Sequence, residues 1–197
     1  MPAFLRILAA LTALALLPAA CGDDETGSDA GRDGAQTIER PTRPPPGWRT
    51  VRNAVAGFTI AAPKTWPADT SRRATLVRSH DRLVAITVAA DRSAAGSELS
   101  PAEYARRTVK SLPGFEGKLR RRVRRVRGSP YPSAVAEASG TVNTTTRPQR
   151  ISVAAFREEG EATYTAIVFR NARVKPRVND RTIARVLRSF RVQPPSS

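Results

Sequence analysis

The chain of 197 residues contains one cysteine, Cys21, and one histidine, His80. A single cysteine excludes a disulfide bond within the chain, and one thiol with one imidazole cannot supply the ligands of a structural zinc site. The sequence also lacks the glycine-rich loop with which many proteins bind phosphate groups. A folded domain in this chain must therefore be stabilised by its hydrophobic core.

No apolar run in the sequence is long enough to cross a membrane. The run from Ile7 to Leu17 has 11 residues and is interrupted by Thr12, whereas a membrane-spanning helix needs about 20. It follows one cation, Arg6, and precedes small residues, which is the order of a secretory signal peptide. We predict that residues 1–20 direct export.

The residues before Cys21 resemble a bacterial lipobox, in which small residues precede a cysteine that receives diacylglycerol before cleavage on its amino side. Ala19 and Ala20 fit this pattern, although Pro18 stands where leucine is usual and Leu17 is one step further away. The resemblance implies an extracytoplasmic protein anchored to the cell membrane through lipid on Cys21. The alternatives are a buried free cysteine or a signal peptide that is cut elsewhere.

The charge is unevenly distributed along the chain, whose formal net charge is +16. Residues 21–47 are acidic at first and then rich in proline, with almost no large apolar residues. Such a segment cannot bury enough surface to offset the entropy of ordering, so we predict a disordered tether. Residues 48–197 are predicted to form a single domain, and residues 47–197 have 29 cationic and 11 acidic side chains, a net charge of +18.

Alternating apolar residues predict short strands throughout this domain. We predict strands at 48–53, 57–62, 74–80, 82–90, 134–142, 151–157 and 162–170, with turns at His80 and Asp81 and at residues 158–161. Ser100, Pro101 and Glu103 form a capping box at the start of a helix that ends before Pro113. A second helix starts near Asn179 and presents one apolar stripe, formed by Ile183, Val186, Leu187 and Phe190.

Consecutive strands that are interrupted by only two helices favour an α+β fold with an antiparallel β-sheet. The stretches VAGFTIAAPKTWP, SPAEYARRTVKSLPGF and IARVLRSFRV resemble the PsbP and Mog-type fold, in particular its bacterial lipoproteins of the LpqN and DcrB kind. The resemblance covers residues 48–192 and implies an α/β/α sandwich, in which four aromatic residues occupy structural positions: Phe58, Trp66, Tyr104 and Phe190. Named members are accessory or binding proteins, so the resemblance implies a non-enzymatic role.

A catalytic constellation is not visible in the sequence. Ser79, His80 and Asp81 are consecutive, but neighbours on a strand point to opposite faces and do not form a triad. We therefore predict a binding or accessory domain with no enzymatic activity and no cofactor. The alternative is a cell-envelope enzyme of unknown chemistry, built on dispersed Asp, Ser and Arg residues.

The stretch from Lys118 to Gly128 is the most basic in the chain. Its apolar residues fit a helix slightly better than a strand, but no cap precedes it and the resemblance places a strand here, so we predict a strand. The candidate anion-binding residues, called the arginine run below, are Arg120, Arg121, Arg122, Arg124, Arg125 and Arg127. A solvated face is the alternative.

The predicted partners follow from the export signal and the charge. They are the membrane, through the lipid on Cys21, and an unknown protein or an anionic polymer or lipid headgroup of the envelope. Nucleic acid is not expected because the domain leaves the cytoplasm. The oligomeric state stays open.

Overall fold

The computed structural model describes residues 44–93, 96, 98–143, 145–158, 162–174 and 178–193. The predicted signal peptide, Cys21 and residues 22–43 of the predicted tether lie outside these residues, as do residues 159–161 of the second predicted turn. The part of the chain from Pro44 onward forms one compact unit. It contains both sheets and both hydrophobic clusters described below, and so has what it needs to fold without the preceding residues.

Most of the predicted strands and both helices are confirmed, with small shifts at their ends. The elements in chain order are β1 (Trp48–Asn53), β2 (Phe58–Pro63), β3 (Ala68–Thr70), β4 (Ala74–Arg78), β5 (Val84–Asp91), α1 (Pro101–Lys110), β6 (Glu116–Leu119), β7 (Ser133–Val142), β8 (Thr145–Arg157), β9 (Thr163–Asn171), α2 (Asp180–Arg188) and β10 (Arg191–Val192). The short strands β3 and β10 were not predicted.

The strands form two antiparallel sheets. The larger sheet has the order β3-β4-β5-β9-β8-β7-β6, and the smaller has the order β1-β2-β10. In the larger sheet, β7, β8 and β9 are joined as two long hairpins in chain order. β5 pairs with β9, although three strands lie between them in the sequence. The α+β class with a mainly antiparallel sheet is therefore confirmed.

Both faces of the larger sheet are buried along β8. Ala154 and Phe156 belong to a cluster that includes β2, β5 and α2, whereas Val153 and Ala155 belong to a second cluster with α1. Because alternate residues of a strand point to opposite faces, the two clusters lie on opposite sides of this sheet. The arrangement has α1 on one face, and the smaller sheet with α2 on the other.

Each helix begins where its sequence signal predicts. The Ser100 hydroxyl accepts a hydrogen bond from the Glu103 amide, and the Glu103 carboxylate accepts one from the Ser100 amide, which completes the capping box of α1. In α2 the Asn179 side chain accepts a hydrogen bond of 2.9 Å from the Thr182 amide. α1 then buries its apolar stripe against β7 and β8 of the larger sheet, and α2 buries its stripe in the first cluster, next to β2 of the smaller sheet.

Phe190 follows α2 and lies at the centre of an aromatic cluster. Its ring stacks on Phe156, with 4.6 Å between the centroids, and also contacts Phe58, Tyr131 and Tyr164. Phe58, Trp66 and Phe190 are buried, as predicted, whereas Tyr104 is half-buried. This cluster holds the last helix and β2 against the larger sheet.

Candidate functional site

The arginine run lies beyond β6, at one edge of the larger sheet. β6 pairs with β7 as far as Leu119, which is opposite Ala138. The Arg120 amide then donates to the carbonyl of Glu137, and only Arg124 pairs with β7 again, through Val135. The strand predicted for the whole stretch is therefore wrong after Leu119.

The interruption is a bulge of the edge strand. Three residues, Arg121 to Val123, stand opposite the single residue Ala136, because Arg120 is bonded to Glu137 and Arg124 to Val135. Bulges are common at sheet edges, where they bend a strand away from further pairing. Here the bulge carries two consecutive arginines out of the ladder.

Two arginines of the run are bound to one carboxylate. Glu137 of β7 accepts a hydrogen bond from Arg120, with 3.2 Å between Nη1 and Oε2, and another from Arg124. Both guanidinium groups remain mostly exposed, so these ion pairs add little to stability. Their effect is to fix the two ends of the bulge on the same side of the edge.

The other four arginines of the run have no acidic partner among the residues that the structure describes: Arg121, Arg122, Arg125 and Arg127. All four are exposed. Val126, which is buried and whose amide is bonded to the Ser133 hydroxyl, attaches this end of the run to the core. On the other side, Arg106 of α1 donates to the backbone carbonyl of Arg121. The run is thus an ordered, basic surface segment.

The turn predicted at His80 and Asp81 joins β4 to β5, and it begins at Ser79, which was predicted to belong to the strand. The buried Ser79 hydroxyl donates to the Asp81 carboxylate and accepts from the Val84 amide, while the Leu83 amide donates to Asp81. His80 is exposed. The serine and aspartate are therefore engaged in closing the turn, in which Arg82 has a positive φ of 56°.

Asp91 and Tyr104 form a partly buried polar contact between β5 and α1. The Tyr104 hydroxyl donates a hydrogen bond of 2.6 Å to Asp91, and the Ser93 amide donates one of 2.9 Å. Burial acts to raise the pKa of Asp91, but the hydrogen bonds outweigh it and hold that pKa below its usual range. Burial, together with the same hydrogen bond, raises the pKa of Tyr104. At neutral pH the contact joins a carboxylate and a neutral phenol.

A second group of arginines lines a cleft of about 710 Å³ beside the N-terminus of α2. We call it the arginine cleft. Its arginines are Arg150 of β8, Arg170 of β9, Arg173 after the end of β9, and Arg181 of α2. The other lining residues are Asn171, Ala172, Val174, Val178, Asn179 and Asp180. No local pattern predicts this group, because its members come from separate elements. The one available signal is that Arg150 and Arg170 are equally distant from Gly160 in the predicted turn.

Neither a metal cluster nor a membrane-spanning helix is found in the described part of the chain. No three His, Cys, Asp or Glu side chains there lie close enough together to hold a metal ion. Among the same residues, no helix combines the length and the apolar character needed to cross a bilayer. Cys21, the predicted lipidation site, lies outside the described residues.

No known family model matches the chain, and no curated protein matches its sequence. Similar solved structures include a protein from Bacteroides thetaiotaomicron, with 9% identity and a TM-score of 0.48. The match covers 74% of this chain and 48% of that one, so this chain spans about half its length. The Saccharomyces cerevisiae Ran-binding protein Mog1p matches at 10% identity and a TM-score of 0.46, over 74% of this chain and 95% of Mog1p. LpqN of Mycobacterium tuberculosis, described as involved in cell envelope biogenesis, matches at 14% identity and a TM-score of 0.39, over 75% of this chain and 91% of LpqN.

Mog1p and LpqN are proteins of the kinds that the sequence resemblance names. The identities are all below 25% and the TM-scores below 0.5. A likeness at this level transfers no ligand, partner or activity to this chain.

Proposed function

We propose that the protein is an exported lipoprotein of the bacterial cell envelope, whose folded domain is a non-enzymatic binding or accessory module. The observation that carries this proposal is the order of three features in the sequence: the apolar run, the single Cys21, and a polar segment that leads to the compact unit beginning at Pro44. Lipid on Cys21 would attach the domain to the extracytoplasmic face of the membrane.

Lipid on Cys21 would be enough to hold the protein at the membrane. Each buried CH₂ of an acyl chain contributes about 0.8 kcal/mol, so two or more long chains on one residue suffice for stable anchoring. The 22 residues between Cys21 and Pro44 would span roughly 25 Å on average as a flexible coil. The domain would then sample the region near the membrane surface without being inserted in it.

Support for a non-enzymatic role comes from the polar groups that looked most like catalytic candidates. The Ser79 hydroxyl and the Asp81 carboxylate are both bonded within one turn. The Ser79 hydroxyl therefore donates to a carboxylate, whereas in a catalytic triad the serine hydroxyl is bonded to an imidazole. A binding role does not require such a triad.

The anchoring is tested by changing Cys21→Ser in the full-length protein and separating membranes from soluble material. The wild-type protein is expected in the membrane fraction, and the variant is expected to be released or to remain unprocessed, because serine cannot form the thioether. Detection of wild-type levels of processed variant in washed membranes would contradict the proposal.

A second candidate function is binding of an anionic envelope surface by the arginine run. The specific observation that favours it is that four exposed arginines of one ordered segment have no acidic partner among the described residues. Each cation near an anionic bilayer contributes about 1 kcal/mol, so three or four of them would orient the domain. Such binding should weaken strongly as salt shortens the Debye length from about 10 Å at 0.1 M to about 3 Å at 1 M.

The test replaces Arg121, Arg122 and Arg125 with glutamine in the part of the chain that begins at Pro44. We expect weaker binding to anionic vesicles at 0.1 M salt and an unchanged melting temperature, because solvated charges contribute little to the fold. The matched control replaces three exposed arginines elsewhere, Arg52, Arg78 and Arg107, and makes the same change in net charge. Equal losses in the two triple variants would show that only total charge matters and would end the case for a dedicated surface.

A further inference from the structure

We propose that the arginine cleft is a binding site for a phosphate group. This proposal goes beyond the lipid anchor and is independent of the arginine run, since it concerns different residues. It is carried by four side chains that the fold brings to one cleft of about 710 Å³: Arg150, Arg170, Arg173 and Arg181.

Two of the cleft's positive charges lie on neighbouring strands of the larger sheet. Arg150 of β8 and Arg170 of β9 are direct partners in the antiparallel register. Like charges directly opposite each other destabilise a sheet, unless an anion offsets their repulsion. The cleft contains one carboxylate, Asp180, and it forms an ion pair with Arg170. Four guanidinium groups against one carboxylate leave a net charge of +3 on the lining.

Asp180 engages one of the four guanidinium groups of the cleft, that of Arg170. The Arg170 side chain is 20% exposed and its Nη1 binds Asp180, whereas its Nε is buried and has no hydrogen-bond partner among the described residues. Buried donors without an acceptor are uncommon in folded proteins and cost stability. Arg150, Arg173 and Arg181 are exposed and have no acidic partner among the described residues, and their forked guanidinium groups are suited to binding two oxygens of one phosphate group at the same time.

The remaining lining fits the same class of ligand. Asn179 is the N-cap of α2, so the positive end of the helix dipole lies at the cleft and adds to its attraction for anions. A phosphate monoester carries a charge of about −1.5 to −2 at neutral pH. It therefore offsets more of the lining's net charge of +3 than a ligand with a single carboxylate would. Val174, which is 50% exposed, and Val178 offer apolar contacts to the organic part of the ligand.

The experiment titrates the full-length protein, in neutral detergent micelles, with inorganic pyrophosphate and follows the heat of binding. The cleft variant Arg150→Gln/Arg181→Gln spares Arg170 and its ion pair with Asp180. Its matched control, Arg52→Gln/Arg107→Gln, removes the same charge from two exposed positions that lie outside both the cleft lining and the arginine run. We expect the cleft variant to lose at least about tenfold in affinity, as for two charge-assisted hydrogen bonds, while the control stays within about twofold of wild type.

A second variant, Asp180→Asn, tests the site in the opposite direction. It removes the carboxylate that competes for Arg170, so pyrophosphate should bind more tightly than to wild type, by about threefold or more. Since this change raises the affinity, a loss of folding cannot imitate the expected result.

A parallel titration with a short-chain phosphatidic acid, against a short-chain phosphatidylcholine, separates a lipid phosphate from a free one. Binding of phosphatidic acid alone, lost in the cleft variant and kept in the control, would uphold the site and make its ligand a lipid headgroup. Absence of binding to both phosphate probes, or equal losses in the cleft variant and its control, would overturn the proposal. Neither result would alter the membrane fractionation of Cys21→Ser, so the two proposals fail separately.

Discussion

Tyr104 shows how one hydrogen bond links the position of a helix to the ionisation of a carboxyl group. Its hydroxyl reaches from the first turns of α1 to Asp91 at the end of β5. The bond stabilises the charged form of Asp91, and burial with the same bond keeps Tyr104 protonated. The contact therefore stabilises the fold more when Asp91 is ionised than when it is protonated.

We predict that Tyr104→Phe lowers the free energy of unfolding by about 1 kcal/mol at pH 7. Because folding lowers the pKa of Asp91, the stabilisation is present above the ordinary carboxyl value of 3.8 and is lost as the pH falls through the folded-state pKa. The difference between variant and wild type should therefore shrink between pH 7 and pH 3. Denaturant unfolding at the two pH values measures it.

The control for this prediction is Asp91→Asn, which removes the titrating group. In that background the effect of Tyr104→Phe should be the same at both pH values. If the effect of Tyr104→Phe on wild type does not change with pH, the proposed coupling to Asp91 is wrong.

At the scale of the elements, the edge strand β6 depends on two glycines that lie opposite each other. Gly117 of β6 and Gly140 of β7 are register partners, and a Cβ atom on Gly140 would lie 2.2 Å from the Glu116 carbonyl oxygen. The backbones are thus too close for any side chain at this point. The close approach holds the strand that leads directly into the arginine run.

We predict that Gly140→Ala destabilises the protein by about 1–3 kcal/mol, because the two backbones must separate. The amide protons of β6 and of Arg120 should exchange faster with solvent, and hydrogen exchange measured by mass spectrometry would show it. Ser139→Ala, a change at the adjacent exposed position, serves as the control. Unchanged protection of β6 in Gly140→Ala would contradict this account.

The elements with local signals could be predicted from the sequence. Ser100 and Glu103 mark the start of α1, the spacing of Ile183, Val186 and Leu187 marks α2, and the alternation from Val84 to Val88 marks β5. The strands β3 and β10 have only three and two residues, which is too short for any period to appear.

The arginine run and the arginine cleft could not be predicted in the same way. The bulge in the run depends on Glu137 and Val135 of β7, which are paired with it only in the folded chain. The cleft depends on the register between β8 and β9 and on the place where α2 begins. Both are consequences of long-range pairing, and a local charge pattern does not contain that information.

At the scale of the whole molecule, the dominant property is positive charge that the fold does not neutralise. Residues 47–197 have 29 cationic and 11 acidic side chains. Among the described residues, ion pairs within 4.0 Å involve three arginines, bound by Glu137 and Asp180. A domain of this charge is attracted to anionic surfaces, and a tether to the membrane would keep it close to one.

The proposed envelope role depends most on the position of the lipid anchor, and mass spectrometry of the mature amino terminus tests that position directly. Protein purified from the membrane fraction should begin at Cys21 and carry the mass of a diacylglyceryl group on that residue. An unmodified amino terminus at any other residue would contradict the proposed anchoring and the envelope role that is built on it.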